Sequence, residues 1–296
     1  MKNSILIHKN YDLSKMYLKY FIALIPLIIY GFYKNGLLLY LDEGTTFLGM
    51  FKPILIPFLG FVGGILVNYI FNKKIDISKY SLYGVLVAMM MPISTNIILF
   101  FISVVLLQIV SNYLETKISF NSICFTKLII ILLLLLFNLH EYANSIEVSN
   151  EYAFSFIDII FGRTVSGIST SSIIWIIISF IYLSLDYYYK KEIPIYAIST
   201  YMVVTLISWL FLKDHNIIIN NILSPNNLFA FIFVAPISMY SSYTKKGKVL
   251  FGILIGFLTA LFINIFSMEA AVIAILLVSL VKDLCDKKIQ NKLFTR

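Results

Sequence analysis

The chain has 296 residues, of which 60% are hydrophobic and 13% are charged, and its mean hydropathy is +0.90. These values exclude a soluble globular domain and are typical of a polytopic helical membrane protein. The net charge of +8 does not indicate nucleic-acid binding, because the lysines lie in short connections between apolar runs. Cys124 and Cys285 fit no metal or redox spacing, so no metal site is predicted.

Ten apolar runs predict transmembrane helices, and the N-terminal run lacks the cleavage site of a signal peptide. The predicted spans lie at about 17–34, 50–71, 82–93, 97–115, 127–139, 170–188, 194–212, 228–239, 248–266 and 268–282. Their short connections predict an all-α fold whose neighbouring helices run in opposite directions.

The basic residues predict the orientation of these spans. With the N-terminus in the cytoplasm, only Lys34, Lys52, Arg163 and Lys213 lie outside, and the other 19 of the 23 basic residues lie inside. We therefore expect a multi-pass protein of the cell membrane with both termini cytoplasmic. Ten spans also divide into two halves of opposite orientation, 1–145 and 146–296. This arrangement predicts two inverted five-helix repeats within one integrated membrane domain.

Two short apolar segments end on a proline at matching places in the two halves. Residues 82–94 read LYGVLVAMMMPIS, and residues 228–238 read LFAFIFVAPIS. Paired, interrupted segments of this kind favour a central binding site of the transporter type. The alternative is two proline-ended helices that only pack against their neighbours. The predicted central site comprises Pro92, Ser94, Asn96, Pro236 and Ser238.

The acidic outside connection, about 140–169, ends in a polar stretch before the sixth span. This stretch reads Ser166-Gly167-Ile168-Ser169-Thr170-Ser171-Ser172. Serine and threonine at a helix start cap free N–H groups. A helix start of this kind also binds anionic groups such as phosphate, so both interpretations stay open.

Ionisable side chains are almost absent from the centres of the predicted spans, since Asp186 and Glu269 lie at span ends. Their absence argues against proton exchange through carboxylates of this chain. No nucleotide-binding glycine loop and no hydrolase triad is present, so no self-contained active site is predicted.

Several motifs, in order along nearly the whole chain, resemble one family of membrane subunits. The matching stretches are YFIALIPLIIYGFYKNG (20–36), YGVLVAMMMP (83–92), SNYLETKISFNSICFTKL (111–128), VSGISTSS (165–172) and FVAPISMYSSYTKKGKVLFGILIGFLTALF (233–262). They resemble the B subunit of Na⁺-translocating NADH:quinone reductase and the D subunit of the Rnf electron transport complex. The likeness departs from the family's pattern where Ala235 stands for an aspartate and where Cys124-Phe125 stands for Asn-Pro.

The resemblance implies a urea-transporter-like architecture and flavin-linked electron transfer coupled to Na⁺ or H⁺ movement. It also implies FMN attached by a phosphoester to a threonine of a Ser/Thr-Gly-Ala-Thr motif, with riboflavin as a further flavin. No Gly-Ala-Thr stands at the expected place, 144–154. The nearest candidate attachment region comprises Ser166, Gly167, Ser169 and Thr170, with Ser169 at the acceptor position.

Two functions follow from the resemblance. The chain is expected to be a membrane subunit of an Rnf- or Nqr-type complex, whose other membrane and peripheral subunits oxidise the electron donor. The alternative is a homologue without redox activity that retains the fold as a permease for a small solute or a flavin. The degenerate cofactor motifs favour the permease, and the order of the motifs favours the redox subunit.

Overall fold

The structure is a computed structural model, and it describes residues 13–43, 46–136, 160–162, 166–212 and 224–286. Within these ranges the chain is helical and contains no strand, which confirms the predicted all-α class. The helices are α1 (Leu13–Gly31), α2 (Leu39–Glu43), α3 (Phe47–Asn72), α4 (Lys79–Met89), α5 (Ile97–Glu115), α6 (Ser122–Leu136), α7 (Ile173–Ser184), α8 (Glu192–Leu212), α9 (Pro225–Phe229), α10 (Lys245–Phe266) and α11 (Ala270–Leu280). A π-helical stretch, Phe32–Leu38, joins α1 to α2, and another, Ala230–Val234, continues α9.

The outer faces of the long helices are suited to lipid. Four helical stretches are long and apolar enough to cross a membrane, namely Ser14–Leu41, Phe47–Asn72, Ile97–Glu115 and Lys245–Phe266. Large apolar side chains on them stay exposed, and Ile29, Phe58, Ile98 and Ile265 are between 58% and 72% exposed. Soluble proteins rarely expose apolar surface on this scale. The chain is a polytopic helical membrane protein.

Each predicted span overlaps a helix of the structure, but some boundaries differ. The sixth span was predicted from residue 170, whereas α7 begins at Ile173. The fifth was predicted from residue 127, whereas α6 begins at Ser122. The earlier start of α6 has a local cause, because the side chain of Asn121 accepts the N–H groups of Ile123 (3.1 Å) and Cys124 (3.3 Å). The number of membrane crossings and the inverted repeat stay predictions.

Two short helices form the centre of the molecule. Every residue of 80–92, which includes α4 except its first residue, and of 225–237, which includes α9 and its π-helical continuation, is buried. A helix that is apolar on all sides requires neighbours on all sides. The longer helices supply those neighbours and keep both proline-ended segments away from lipid.

The two halves contain corresponding helix contacts. In the first half, α5 contacts both α3 and α6. In the second half, α10 contacts both α8 and α11. Equivalent contacts also join α4 to α6 and α9 to α11. An inverted repeat of five helices would give such correspondences, and the division at residues 145 and 146 stays a prediction.

Helices α3 and α4 approach each other through glycine. A Cβ atom on Gly60 would overlap the carbonyl oxygen of Gly84, and a Cβ atom on Gly84 would overlap that of Gly60. Backbones at this separation leave no space for a side chain, as in other small-residue contacts between membrane helices. The contact holds the central helix α4 against the lipid-facing helix α3.

We expect Gly60→Ala to lower the free energy of unfolding by about 1–3 kcal/mol, because the added methyl group forces two backbones apart. Thermal unfolding of the detergent-solubilised protein measures the effect. Gly63→Ala is the matched control in the same helix, since the nearest atoms to its Cβ belong to side chains and not to backbone, the closest being that of Val105 at 3.2 Å. Equal stability of the two variants would contradict the close approach.

Candidate functional site

The predicted central residues take different places in the structure. Pro92 and Pro236 are both buried, each in the turn that follows a short central helix. Ser94 and Ser238 are half-buried in the same two turns. Asn96 is exposed and caps α5, its side chain accepting the N–H groups of Ile98 (3.0 Å) and Leu99 (3.3 Å). The assignment of Asn96 to a central site stays a prediction.

The end of α4 is covered by residues 166–172, which we call the serine-rich segment. The N–H group of Ile168 donates to the carbonyl of Met91 (2.7 Å), and that of Ser169 donates to the carbonyl of Met89 (3.2 Å). The last carbonyls of a helix have no partner within the helix. Pro92 prevents the helix from continuing. The serine-rich segment supplies the missing donors.

Two asparagines from other elements hold the serine-rich segment in place. The side chain of Asn35, in the first π-helical stretch, donates to the carbonyl of Ile168 (2.8 Å). The side-chain oxygen of Asn226, in α9, accepts the N–H group of Gly167 (3.0 Å) and the hydroxyl of Thr170. The segment thus connects the π-helical stretch after α1 with α4 and α9, and both interactions are buried.

The hydroxyl of Ser169 differs from its neighbours. Ser169 is 1% exposed, and its hydroxyl has no hydrogen-bond partner in the described part of the chain. The hydroxyl lies against α1, since a Cβ atom on Gly31 would stand 2.8 Å from Ser169 Oγ. A phosphoester of FMN does not fit there while the segment keeps this position. Flavin attachment at Ser169 or Thr170 stays a prediction that requires the segment to move.

An ion pair in the helical core was missed by the sequence analysis. Lys127 Nζ lies 2.6 Å from Glu269 Oε2, and the side chains are 0% and 12% exposed. Lys127 lies inside α6, and Glu269 directly precedes α11. Because the fifth span was predicted to begin at residue 127, Lys127 was assigned to the cytoplasmic boundary. Recognising Asn121 as the cap of α6 would have placed this lysine inside the helix.

Asn227, in the central helix α9, bonds to the chain close to this ion pair. Its side-chain oxygen accepts the N–H group of Ala271 (3.3 Å), two residues beyond Glu269. The amide nitrogen of Asn227 is buried and has no hydrogen-bond partner among the described residues. Intramembrane charges and polar groups of this kind mark ion or substrate pathways. Lys127 is thus an exception to the expectation that ionisable side chains are almost absent from the centres of the spans.

We expect Glu269→Gln to destabilise the protein by about 3–5 kcal/mol, because it leaves the Lys127 ammonium buried without a counter-charge. Thermal unfolding and the yield of folded protein measure the loss. The double variant Lys127→Met/Glu269→Gln should recover most of it, since both charges are then removed.

Glu192→Gln is the control for that experiment. It breaks a half-exposed pair with Lys248, in which the charged atoms lie 3.6 Å apart, and should cost no more than about 1 kcal/mol. A Glu269→Gln variant as stable as the wild type would contradict the buried pair.

We expect Asn226→Ala to release the serine-rich segment. It leaves the buried N–H of Gly167 and hydroxyl of Thr170 without their acceptor, at about 1–3 kcal/mol for each group. Maleimide labelling of Ser169→Cys detects the release, in a background where Cys124 and Cys285 are alanine. The introduced thiol should stay unlabelled in the Ser169→Cys variant and become labelled when Asn226→Ala is combined with it.

Asn96→Ala serves as the control for this labelling, because it removes a helix cap without touching the serine-rich segment. Residue 169 should stay protected in that variant. Labelling of Ser169→Cys with Asn226 intact would show that the segment does not keep the buried position.

Comparison with known proteins agrees with this structure. A model of the NQR2, RnfD, RnfE family matches residues 1–295 of the chain. No curated protein matches it. The family match confirms the resemblance drawn from the motifs, and it spans both proline-ended segments, the serine-rich segment and the Lys127–Glu269 pair. The helical membrane fold and the match over the whole chain lead to one conclusion: the chain belongs to the NQR2, RnfD, RnfE family.

Proposed function

We propose that this chain is a membrane subunit of an ion-translocating electron transport complex of the Rnf or Nqr type. The observation that carries the proposal is the family match over residues 1–295. As a subunit it would act with other membrane and peripheral subunits that oxidise the electron donor. The chain itself supplies a membrane scaffold and a polar pathway.

The polar pathway is assigned to the Lys127–Glu269 pair and Asn227. Both charges lie among apolar helices, where an ionisable residue is costly and usually functional. Asn227 lies on the central helix α9 and bonds to α11 beside Glu269. A Na⁺ or H⁺ that approached Glu269 would compete with the Lys127 ammonium, so the pair provides a site where ion movement and local charge are coupled.

The proposal that the chain carries flavin rests on the family resemblance and not on the geometry of the described residues. FMN, when bound, supplies the electron-transfer chemistry. Ser169 is the better acceptor candidate, since its hydroxyl lacks a partner while that of Thr170 donates to Asn226. Attachment would require the serine-rich segment to leave α1 and expose Ser169.

The proposed orientation has both termini in the cytoplasm of a cell-membrane protein with ten spans. The distribution of basic residues supports this orientation. The corresponding helix contacts in the two halves support an inverted repeat of residues 1–145 and 146–296. With this orientation the serine-rich segment lies on the outer side of the membrane.

A second candidate is a permease for a small solute or a flavin, without redox activity. One observation favours it specifically: Ser169 and Thr170, the candidate attachment residues, are both enclosed. A chain that no longer carried covalent flavin would be free to use the serine-rich segment only as a cap for α4.

In-gel flavin fluorescence of the denatured protein, co-expressed with a flavin transferase, distinguishes the two functions. We expect a fluorescent band that disappears in Ser169→Ala, because a phosphoester at that hydroxyl survives denaturation. Ser166→Ala is the matched control in the same segment and should keep the fluorescence. A dark band from folded protein would contradict covalent electron transfer by this chain, and solute uptake into vesicles would then test the permease.

A further inference from the structure

The ammonium group of Lys190 is enclosed by the turn after α9. Lys190 lies between α7 and α8, and the residue is 7% exposed. Its Nζ atom donates to four oxygens: the carbonyls of Ser238 (3.2 Å), Ser241 (3.2 Å) and Ser242 (3.0 Å), and the Ser241 hydroxyl (2.8 Å). We call these four oxygens the carbonyl cage. The ring of Tyr243 lies 4.3 Å from the ammonium and adds a cation–π contact.

The carbonyl cage consists entirely of neutral oxygens. Divalent cations such as Ca²⁺ and Mg²⁺ usually bind carboxylates as well, whereas rings of backbone carbonyls replace the hydration shell of monovalent cations in channels. Transporters coordinate cations with backbone carbonyls of unwound segments next to broken helices. The cage therefore suits a cation with a single positive charge.

The charged groups around the cage have other partners, and no carboxylate bonds to the Lys190 ammonium among the contacts given above. Lys282 donates to the carbonyl of Met239 (2.8 Å), and Lys248 pairs with Glu192 (3.6 Å). Asp286 accepts from the hydroxyl of Ser242 and from the backbone N–H and hydroxyl of Thr244. Burial alone would raise the pKa of Asp286, but these hydrogen bonds outweigh burial and lower it, so this carboxylate stays charged near neutral pH.

Burial shifts the pKa of Lys190 downward, because it disfavours the charged ammonium. It lowers the pKa of Lys190 to about 7, and the positive charges of Lys248 and Lys282 act in the same direction. The negative charges of Asp286 and Glu192 oppose the change. Lys190 is thus protonated at pH 6.

The first half contains a weaker counterpart. The turn after α4 presents the carbonyl of Ile93, one residue after Pro92, and Lys52 donates to it at 3.3 Å. In the second half, the carbonyl of Ser238 lies two residues after Pro236 and accepts from Lys190. Each proline-ended turn therefore faces a lysine near the start of the long helix α3 or α8, but only the second turn encloses the ammonium.

We infer that the carbonyl cage is a binding site for a small monovalent cation, and that the chain fills it with the ammonium of its own Lys190. The inference goes beyond the proposed function and does not depend on it, since the site needs no flavin and no partner subunit. In this role Lys190 fixes the turn after α9 as a bound cation would, without dissociating.

Chemical rescue tests the site in the full-length, detergent-solubilised protein at pH 6. Lys190→Ala should lower the midpoint of thermal unfolding, and methylammonium chloride should raise it again. A rise of about 2–4 °C is expected at a few times the dissociation constant. Choline chloride at the same ionic strength should not act, because its trimethylated nitrogen has no N–H donor. The wild type should not respond, because Lys190 occupies the cage.

Lys52→Ala is the matched control, because it removes a lysine from the corresponding turn of the first half without opening a four-oxygen cage. Rescue confined to Lys190→Ala supports the site. The inference is overturned if methylammonium fails to act on Lys190→Ala, or if it acts equally on Lys52→Ala.

Reductive methylation of the wild-type protein provides a test that needs no variant to fold. The lowered pKa of Lys190 would favour its reaction if its amine were accessible, and the adjacent Lys191 is exposed and serves as internal control. Mass spectrometry should find Lys191 methylated and Lys190 unmodified in the folded protein, and both methylated after denaturation. Equal methylation of the two lysines in the folded protein would overturn the inference.

Discussion

The structure depends on satisfying backbone carbonyls where two helices end inside the protein. A carbonyl that is buried away from water needs a donor from the chain. At the end of α4, the N–H groups of Ile168 and Ser169 supply the donors. At the end of α9, the donors are side chains instead: Tyr189 bonds to the carbonyl of Ile232 (2.8 Å), and Lys190 bonds to the turn. In each half, polar groups from distant elements thus donate hydrogen bonds to the carbonyls at the end of one short helix or in the turn after it.

This requirement bears directly on function. Because the serine-rich segment closes α4, it cannot at the same time present Ser169 to a transferase, and flavin attachment would need α4 to lose its cap. Opening the segment would break the bonds from Asn35 and to Asn226, which join it to the π-helical stretch after α1 and to α9. Any event at this segment is thereby linked to both central helices. A coupled electron and ion carrier needs a link of this kind between its cofactor site and its ion path.

The two halves correspond in helix contacts but differ in chemistry. One proline-ended turn is closed by backbone donors and the other by side-chain donors. The Lys127–Glu269 pair joins the two halves, because Lys127 lies in the first and Glu269 in the second. The predicted inverted repeat would give two similar frameworks on which different sites are built. The two proposed functions, permease and redox subunit, use the same helical framework. They differ in the ligand that the framework would bind.

The sequence by itself determined the helical membrane class, the positions of the helices and the two proline-ended turns, because apolar runs and proline act locally along the chain. It also indicated the family through motifs spread over the whole chain. Only the tertiary structure decided which groups meet. Lys127 and Glu269 lie 142 positions apart in the sequence, and Lys190 reaches a turn 48 residues away. Nothing local predicts these contacts, because a buried charge is recognised by its partner and by the exclusion of water, and both arise only when the helices pack.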